Sequence, residues 1–268
     1  MFTKHLITVS VLTLLMSACG TTSKVGEVID PVGQRLIIRE DKLAEAALEG
    51  GNFDTAIRIY KERLEMSPSD IDRRLDLADA LMRAGALDEA KLHFKRAALD
   101  APWAASPLVG LGRLSLHWGR PLEAKQYFMQ AVSREPDNLE ALNGLGVSLD
   151  HIGQHGNAQS VYSTILRQTP DDLRVRTNVG LSLALGGTPD KAIGYLLGFA
   201  ASPSAPIQAR QNLAVAYAMV GHFDQARAIM ELDMSQNQVE ASLQYLHQVL
   251  GSGQQLTASD VDEVYGLN

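Results

Sequence analysis

Leu111-Gly112-Arg113-Leu114-Ser115-Leu116-His117-Trp118-Gly119-Arg120-Pro121-Leu122-Glu123-Ala124-Lys125-Gln126-Tyr127-Phe128 decides the fold, because its landmarks return along the chain at a fixed interval. Gly119 belongs to the series Gly51, Gly85, Gly119, Gly153, Gly187 and Gly221, each 34 residues after the last. Eight residues before each glycine stand Leu43, Leu77, Leu111, Leu145, Val179 and Leu213, each followed by a small residue: Ala44, Ala78, Gly112, Gly146, Gly180 and Ala214. Five residues after it come Ala56, Ala90, Ala124, Ala158, Ala192 and Ala226; nine after it come Tyr60, Phe94, Phe128, Tyr162, Leu196 and Met230. Proline closes the first four units at Pro68, Pro102, Pro136 and Pro170, and stands one residue early, as Pro203, in the fifth. A repeat of this length signals stacked supersecondary units, none of which can bury its apolar side alone.

Each unit reads as two antiparallel helices. The glycine ends the first by taking a left-handed conformation. The small residues let the two backbones approach, and the large apolar residues fill the gap to the next unit. Proline stops the second helix, since it lacks an N–H and disfavours helix just before it. Asp70, Asp137, and Asp171 or Asp172 then offer caps for the following helix. The pattern resembles the tetratricopeptide-repeat (TPR) family over residues 37–235. The resemblance implies an all-α, right-handed superhelical solenoid of about six helix pairs. After it, Val239, Leu243, Leu246 and Leu250 lie on one stripe, which predicts a terminal capping helix over residues 236–251. Residues 252–268 are polar and glycine-bearing and read as a flexible tail. The alternative for that tail is one short amphipathic turn or docking motif built on Val261, Val264 and Tyr265.

The opening, Met1-Phe2-Thr3-Lys4-His5 followed by an apolar run from Leu6 to Leu15 and then small residues, has the pattern of a secretory signal peptide over residues 1–18. The run is shorter than the roughly 20 residues a membrane-spanning helix needs. Ser17-Ala18-Cys19 resembles the bacterial lipobox, in which the signal is cut before a cysteine that is then lipidated. Met16 stands where that family prefers leucine, a mild departure. The resemblance implies a lipidated Cys19, and several acyl chains anchor a protein stably where one alone is marginal. Gly20 follows the cysteine in place of aspartate, which by the sorting rule of such lipoproteins implies the outer membrane, facing the periplasm. Residues 19–36 lack a sustained helical pattern and read as a tether.

Hydrophobic residues make up 46% of the 268-residue chain and charged residues 21%, as in a globular protein. The net charge is −7 with no basic stripe, which argues against nucleic acid as a partner. Cys19 is the single cysteine, so neither an internal disulfide nor a multi-thiolate metal site can form. The chain has no G-x-S-x-G elbow, no phosphate loop and no H-E-x-x-H helix. His151 and His155 are four apart, but helix-ending Gly153 lies between them, so they are not expected to share a face or hold a metal. No enzymatic activity and no cofactor are expected.

The informative surface is the inner face of the stack, which in TPR proteins is lined by the first helix of each unit. The residues between its packing positions are charged in units one and two: Asp41, Lys42, Glu45, Asp72, Asp76 and Asp79. In units four to six they are amidic and apolar: Asn143, Val147, Thr177, Asn178, Leu181, Gln211, Asn212, Val215 and Met219. Asn178 and Asn212 share the place nine residues before the glycine. In some TPR proteins an asparagine there grips the backbone of an extended peptide, a task that suits an amide because it donates and accepts at once. The other reading is that both are merely solvated. Asn143, Val147, Asn178, Leu181, Asn212, Val215 and Met219 are the candidate partner-binding residues. Lipobox, tether, six units and capping helix together resemble the TadD lipoproteins of tight-adherence (Flp) pilus assembly. That resemblance implies a protein partner such as a secretin or pilus-assembly component. The alternative is a general envelope scaffold, in polysaccharide export or as an adaptor for a murein hydrolase or protease.

Overall fold

The structure is a computed structural model that describes residues 31–200 and 205–266, with side chains from residue 40 onward. The expected signal peptide, the lipidation site Cys19 and Pro203 lie outside the described residues. The chain divides into residues 1–40 and 41–268, and the helical stack belongs to the second unit. Helix α1 runs Pro31–Glu49, so the backbone is already helical six residues before the expected end of the tether. Proline is well suited to a first helical turn, where its missing N–H has no partner to lose.

Among the described residues there are fourteen helices and no strand. After α1 come α2 (Phe53–Met66), α3 (Ile71–Arg83), α4 (Leu87–Asp100), α5 (Ser106–His117), α6 (Pro121–Arg134), α7 (Leu139–His151) and α8 (His155–Gln168). They are followed by α9 (Leu173–Leu185), α10 (Pro189–Ala200), α11 (Ile207–Met219), α12 (Phe223–Met230), α13 (Gln236–Gly251) and α14 (Ala258–Val264). From α2 to α13 each helix packs on its neighbours in the chain. Successive first helices also touch, α3 on α5, α5 on α7, α7 on α9, α9 on α11 and α11 on α13, and so form one continuous layer.

The repeating glycines do what their spacing predicts. All six have positive φ, from 63° at Gly119 to 82° at Gly187. At Gly153 the turn is closed by two bonds, from the Gln154 N–H to the Leu149 carbonyl (2.8 Å) and from the Gly153 N–H to that of Asp150 (3.0 Å). These satisfy carbonyls that the end of α7 would otherwise leave unpaired. One cap differs from expectation: Asn138, not Asp137, accepts from the Ala141 N–H at the start of α7. Of the two aspartates offered for α9, Asp172 is the cap. Asp70 caps α3 as expected.

Small residues and rings interlock. A Cβ on Gly112 would lie 2.7 Å from the Phe128 ring of its own unit, and one on Gly144 would lie 2.3 Å from the same ring, now across the unit boundary. Gly110 and Phe94 meet across the preceding boundary in the same way, and Gly146 meets Tyr162 within its unit. Phe128 is 0% exposed. Burying such a side chain stabilises the stack by about 1.5–3 kcal/mol.

The repeat stops at unit six. Asp233 stands where earlier units carry Ala97, Ala131, Ile165 or Phe199, and its carboxylate takes a two-pronged pair from Arg210 at 2.6 and 2.8 Å. Helix α12 is accordingly only 8 residues long. Ser235 opens α13 with a capping box, and Val239, Leu243 and Leu246 of that helix are buried. The final segment follows the alternative to a flexible tail, a short amphipathic turn on Val261, Val264 and Tyr265: α14 is folded, and Leu256, Ala258, Val261 and Val264 are all at or below 5% exposure. The apolar spacing of those four residues supplies the reason, since they bury together against Leu185, Val215, Leu243 and Leu246.

Candidate protein-binding groove

Helices α7, α9 and α11 carry the predicted groove residues, and two amide links hold these helices side by side. The Asn178 amide donates to the Asn143 side-chain oxygen at 3.0 Å, joining α9 to α7. The Asn212 amide donates to the Thr177 backbone carbonyl at 3.2 Å, joining α11 to α9. The two asparagines are therefore not equivalent. Asn178 and Asn143 are half-buried, whereas Asn212 is 5% exposed; Asn178 and Asn212 both line the groove, the second with its amide committed to the stack. Val215 is 0% exposed and is buried in one core cluster with Val261 and Val264 of the final segment. Met219 is half-buried and packs against that core. Val147 and Leu181 do line the groove. The register that holds Asn178 and Asn212 also holds Gly110 and Gly144, each pressed against a ring of the preceding unit, so it lies where a first helix meets the unit before it.

Beneath the groove lies a polar cluster that the sequence reading missed. Asp150 is 6% exposed and accepts three hydrogen bonds: from the Ser182 hydroxyl (2.7 Å), the Tyr162 hydroxyl (3.0 Å) and His155 Nδ1 (2.9 Å). Burial pushes the Asp150 carboxyl up, against the bonds from Ser182, His155 and Tyr162, which pull it down. Burial likewise raises the Tyr162 phenol well above its usual value. The cluster ties three consecutive helices, α7, α8 and α9. Its signal was an acid three residues before the glycine, where other units have Leu48, Met82, Leu116, Ala184 and Ala218. His155 is held by Asp150, while His151 lines the groove, so the two imidazoles serve different surroundings. Among the described residues no group of three or more His, Cys, Asp and Glu side chains is placed to hold a metal ion.

The mouth of the groove is covered by the chain itself. Helix α14 sits over α7, α9 and α11 and encloses with them a cavity of about 180 Å³, lined in part by Val147, His151, Asn178, Gln211, Val261 and Asp262. The Tyr265 hydroxyl donates to the Gln211 backbone carbonyl at 2.8 Å, and the Gln255 amide donates to that of Leu185 at 3.0 Å.

The other end is less acidic than its sequence suggests. Asp41 pairs with Arg63 (3.3 Å) and Arg73 (2.6 Å), Asp76 with Arg73 (3.1 Å), and Asp79 with Arg113 (2.7 Å). Arginines on α2, α3 and α5 thus neutralise three of the five acids expected to face a ligand there.

Comparison with known proteins agrees with this architecture. A tetratricopeptide repeat model matches residues 47–106 and 116–177. No curated protein matches the chain. Among solved structures, PilW, a widely conserved type IV pilus biogenesis factor, is similar with a TM-score of 0.66 and 18% identity, over 76% of this chain and 96% of that one. A tetratricopeptide repeat protein from Parabacteroides merdae is similar with a TM-score of 0.64 and 15% identity, over 85% and 97%. PilF of Pseudomonas aeruginosa is similar with a TM-score of 0.58 and 17% identity, over 86% and 96%. At these identities the likeness is one of fold. The repeat match thus falls on the same residues as the 34-residue register, and the paired helices of that register run on beyond it to α12.

Proposed function

We propose that this chain is a lipid-anchored scaffold of the bacterial outer membrane, facing the periplasm, which binds protein partners during assembly of a tight-adherence (Flp) or type IV pilus or of its secretin. The observation that carries the reading is the joining of Ser17-Ala18-Cys19-Gly20, behind an export-type leader, to a stack of TPR units. The leader would deliver the chain to the envelope, acylated Cys19 would hold it there, and the stack would present a surface without any catalytic constellation. PilW, which shares the fold, is a pilus biogenesis factor, and this supports the narrower part of the reading. The partner surface is assigned to the face of α7, α9 and α11, around Asn143, Val147, Asn178 and Leu181.

Two measurements test it. Metabolic labelling with a fatty-acid analogue should mark the wild type and leave Cys19→Ala unmarked; equal labelling of both rules out lipidation at Cys19. Crosslinking in the native envelope should recover a secretin or a pilus component. Recovery of polysaccharide-export proteins or a murein hydrolase instead would transfer the chain to the general-adaptor reading.

A further inference from the structure

The segment that covers the groove is built like a ligand. Thr257 opens α14 with a capping box, its hydroxyl taking the Asp260 N–H while the Asp260 carboxylate accepts from the Thr257 N–H (2.8 Å). Ala258, Val261 and Val264 follow at intervals of three and are buried, and Tyr265 ends the helix with its hydroxyl on a backbone carbonyl of α11. This is how an amphipathic helix lies in an apolar groove, with anchors at i, i+3 and beyond.

Three observations separate this segment from a permanent part of the stack. It is attached through Gly251-Ser252-Gly253-Gln254-Gln255, all exposed, with Gly253 at φ 74°. It is 7 residues long, too short to be helical without the surface it lies on. It also fills the groove incompletely. The cavity of about 180 Å³ left beneath it is lined by Val147 and Leu181 together with polar groups such as His151 and Asn178, and has room for several water molecules. Asp262 borders that cavity with a carboxyl raised by burial, while the charge of His151 pulls it the other way, so an acid is a poor occupant of the place.

We propose that the groove of α7, α9 and α11 receives a short amphipathic helix from a protein partner, with small aliphatic residues at three-residue intervals followed by tyrosine. Residues 255–265 are a resident copy of that ligand, which the partner's helix displaces. This rests on reading the chain as a protein-binding scaffold. It adds that the groove is closed at rest, and it gives the partner's chemistry: the aliphatic pattern of α14 with an uncharged hydrogen-bonding side chain where Asp262 stands. Displacement lowers the apparent affinity of any partner by the fraction of time the groove is open.

The test uses the full chain and a fluorescent peptide of residues 254–266. Full-length protein carrying Val261→Asp and Val264→Asp, which dislodges its own segment, should bind the peptide on the order of tenfold more tightly than wild type does. A Tyr265→Phe peptide should bind that variant severalfold more weakly, and an Asp262→Gln peptide more tightly. Failure of the peptide to bind a variant that keeps wild-type helicity and a cooperative melt overturns the proposal. Should the variant not fold, hydrogen exchange on the wild type decides. Amides of residues 258–264 should exchange through an opening that leaves Leu243 and Leu246 of α13 protected. Exchange of both only together would make α14 a fixed part of the core and sink the idea. Neither readout involves the envelope partner, so a failed crosslinking experiment and a closed groove remain distinguishable.

Discussion

Nine residues before the turn glycine, one position of the repeat is filled by the Phe128 ring at Gly144 and by a hydrogen bond at Asn212. In the middle of the stack Gly110 and Gly144 stand nine residues before their turn glycine, and each admits a ring from the preceding unit. Two units later that place is held by Asn178 and Asn212, which reach sideways to Asn143 and to the Thr177 carbonyl. A position in a repeat thus keeps its neighbours and can change its chemistry. At this position the middle of the stack is held by shape, and the C-terminal end by polar links.

That comparison can be broken or sharpened by substitution. The largest effect should come from Ala124→Arg, at a place with 0% exposure where two helices meet. Overpacking and a buried unpaired charge together should cost on the order of 3–5 kcal/mol and spread to adjacent units. A thermal melt that overlays wild type would show the repeat register to be misread. Next comes Asp150→Ala, at the seam between the two regions. It strands the buried hydroxyl of Tyr162, leaves Ser182 only its longer bond to the His155 carbonyl (3.3 Å), and should cost about 1–3 kcal/mol in urea unfolding. A loss below a few tenths of a kcal/mol would mean that the cluster is solvated and does not tie the units together.

The finest test is a matched set in one register. Gly144→Ala places a Cβ 2.3 Å from the Phe128 ring, which must shift, so about 1–2 kcal/mol is expected. Asn212→Ala should cost about 1 kcal/mol through the lost bond and the Thr177 carbonyl's single remaining partner, and Asn178→Ala about 0.5 kcal/mol, because it is half-buried. If the order is reversed, with Asn178 costing most, the distinction drawn here between shape and polar linkage fails.

The stack was legible in the sequence because its causes are local. A glycine that must take positive φ, a small residue beneath a ring and a proline after a helix each impose a constraint that recurs every 34 residues. The site was less legible. Whether Asn212 faces solvent or a neighbouring helix depends on a few tenths of a turn, and two glycines in the same register outweigh its polar character. Asp150 gave one sign, an acid in an apolar column, but its three partners lie on α8 and α9 and come together only through packing. The fate of residues 252–268 was the hardest to read. Four apolar residues in a polar run are too few to fix a helix by themselves, and the groove that folds them is assembled from units far back in the chain, with Gln211 54 residues from Tyr265 and Leu185 70 from Gln255.

That last distance has a kinetic consequence. The links between successive units span 35 residues, as at Asn178–Asn143 and Asn212–Thr177. The bonds from Gln255 to Leu185 and from Tyr265 to Gln211 span 70 and 54. Helix pairs can zip up from neighbour to neighbour as soon as each is complete. A segment that closes over two units has nothing to close upon until both have formed, so it is the last part to arrive. Interactions made that late contribute little to the rate of folding and mainly to the rate of coming apart. The C-terminal segment is thus a clasp, in time as well as in space: it does not help the stack to form, but it sets how long the end of the stack stays closed.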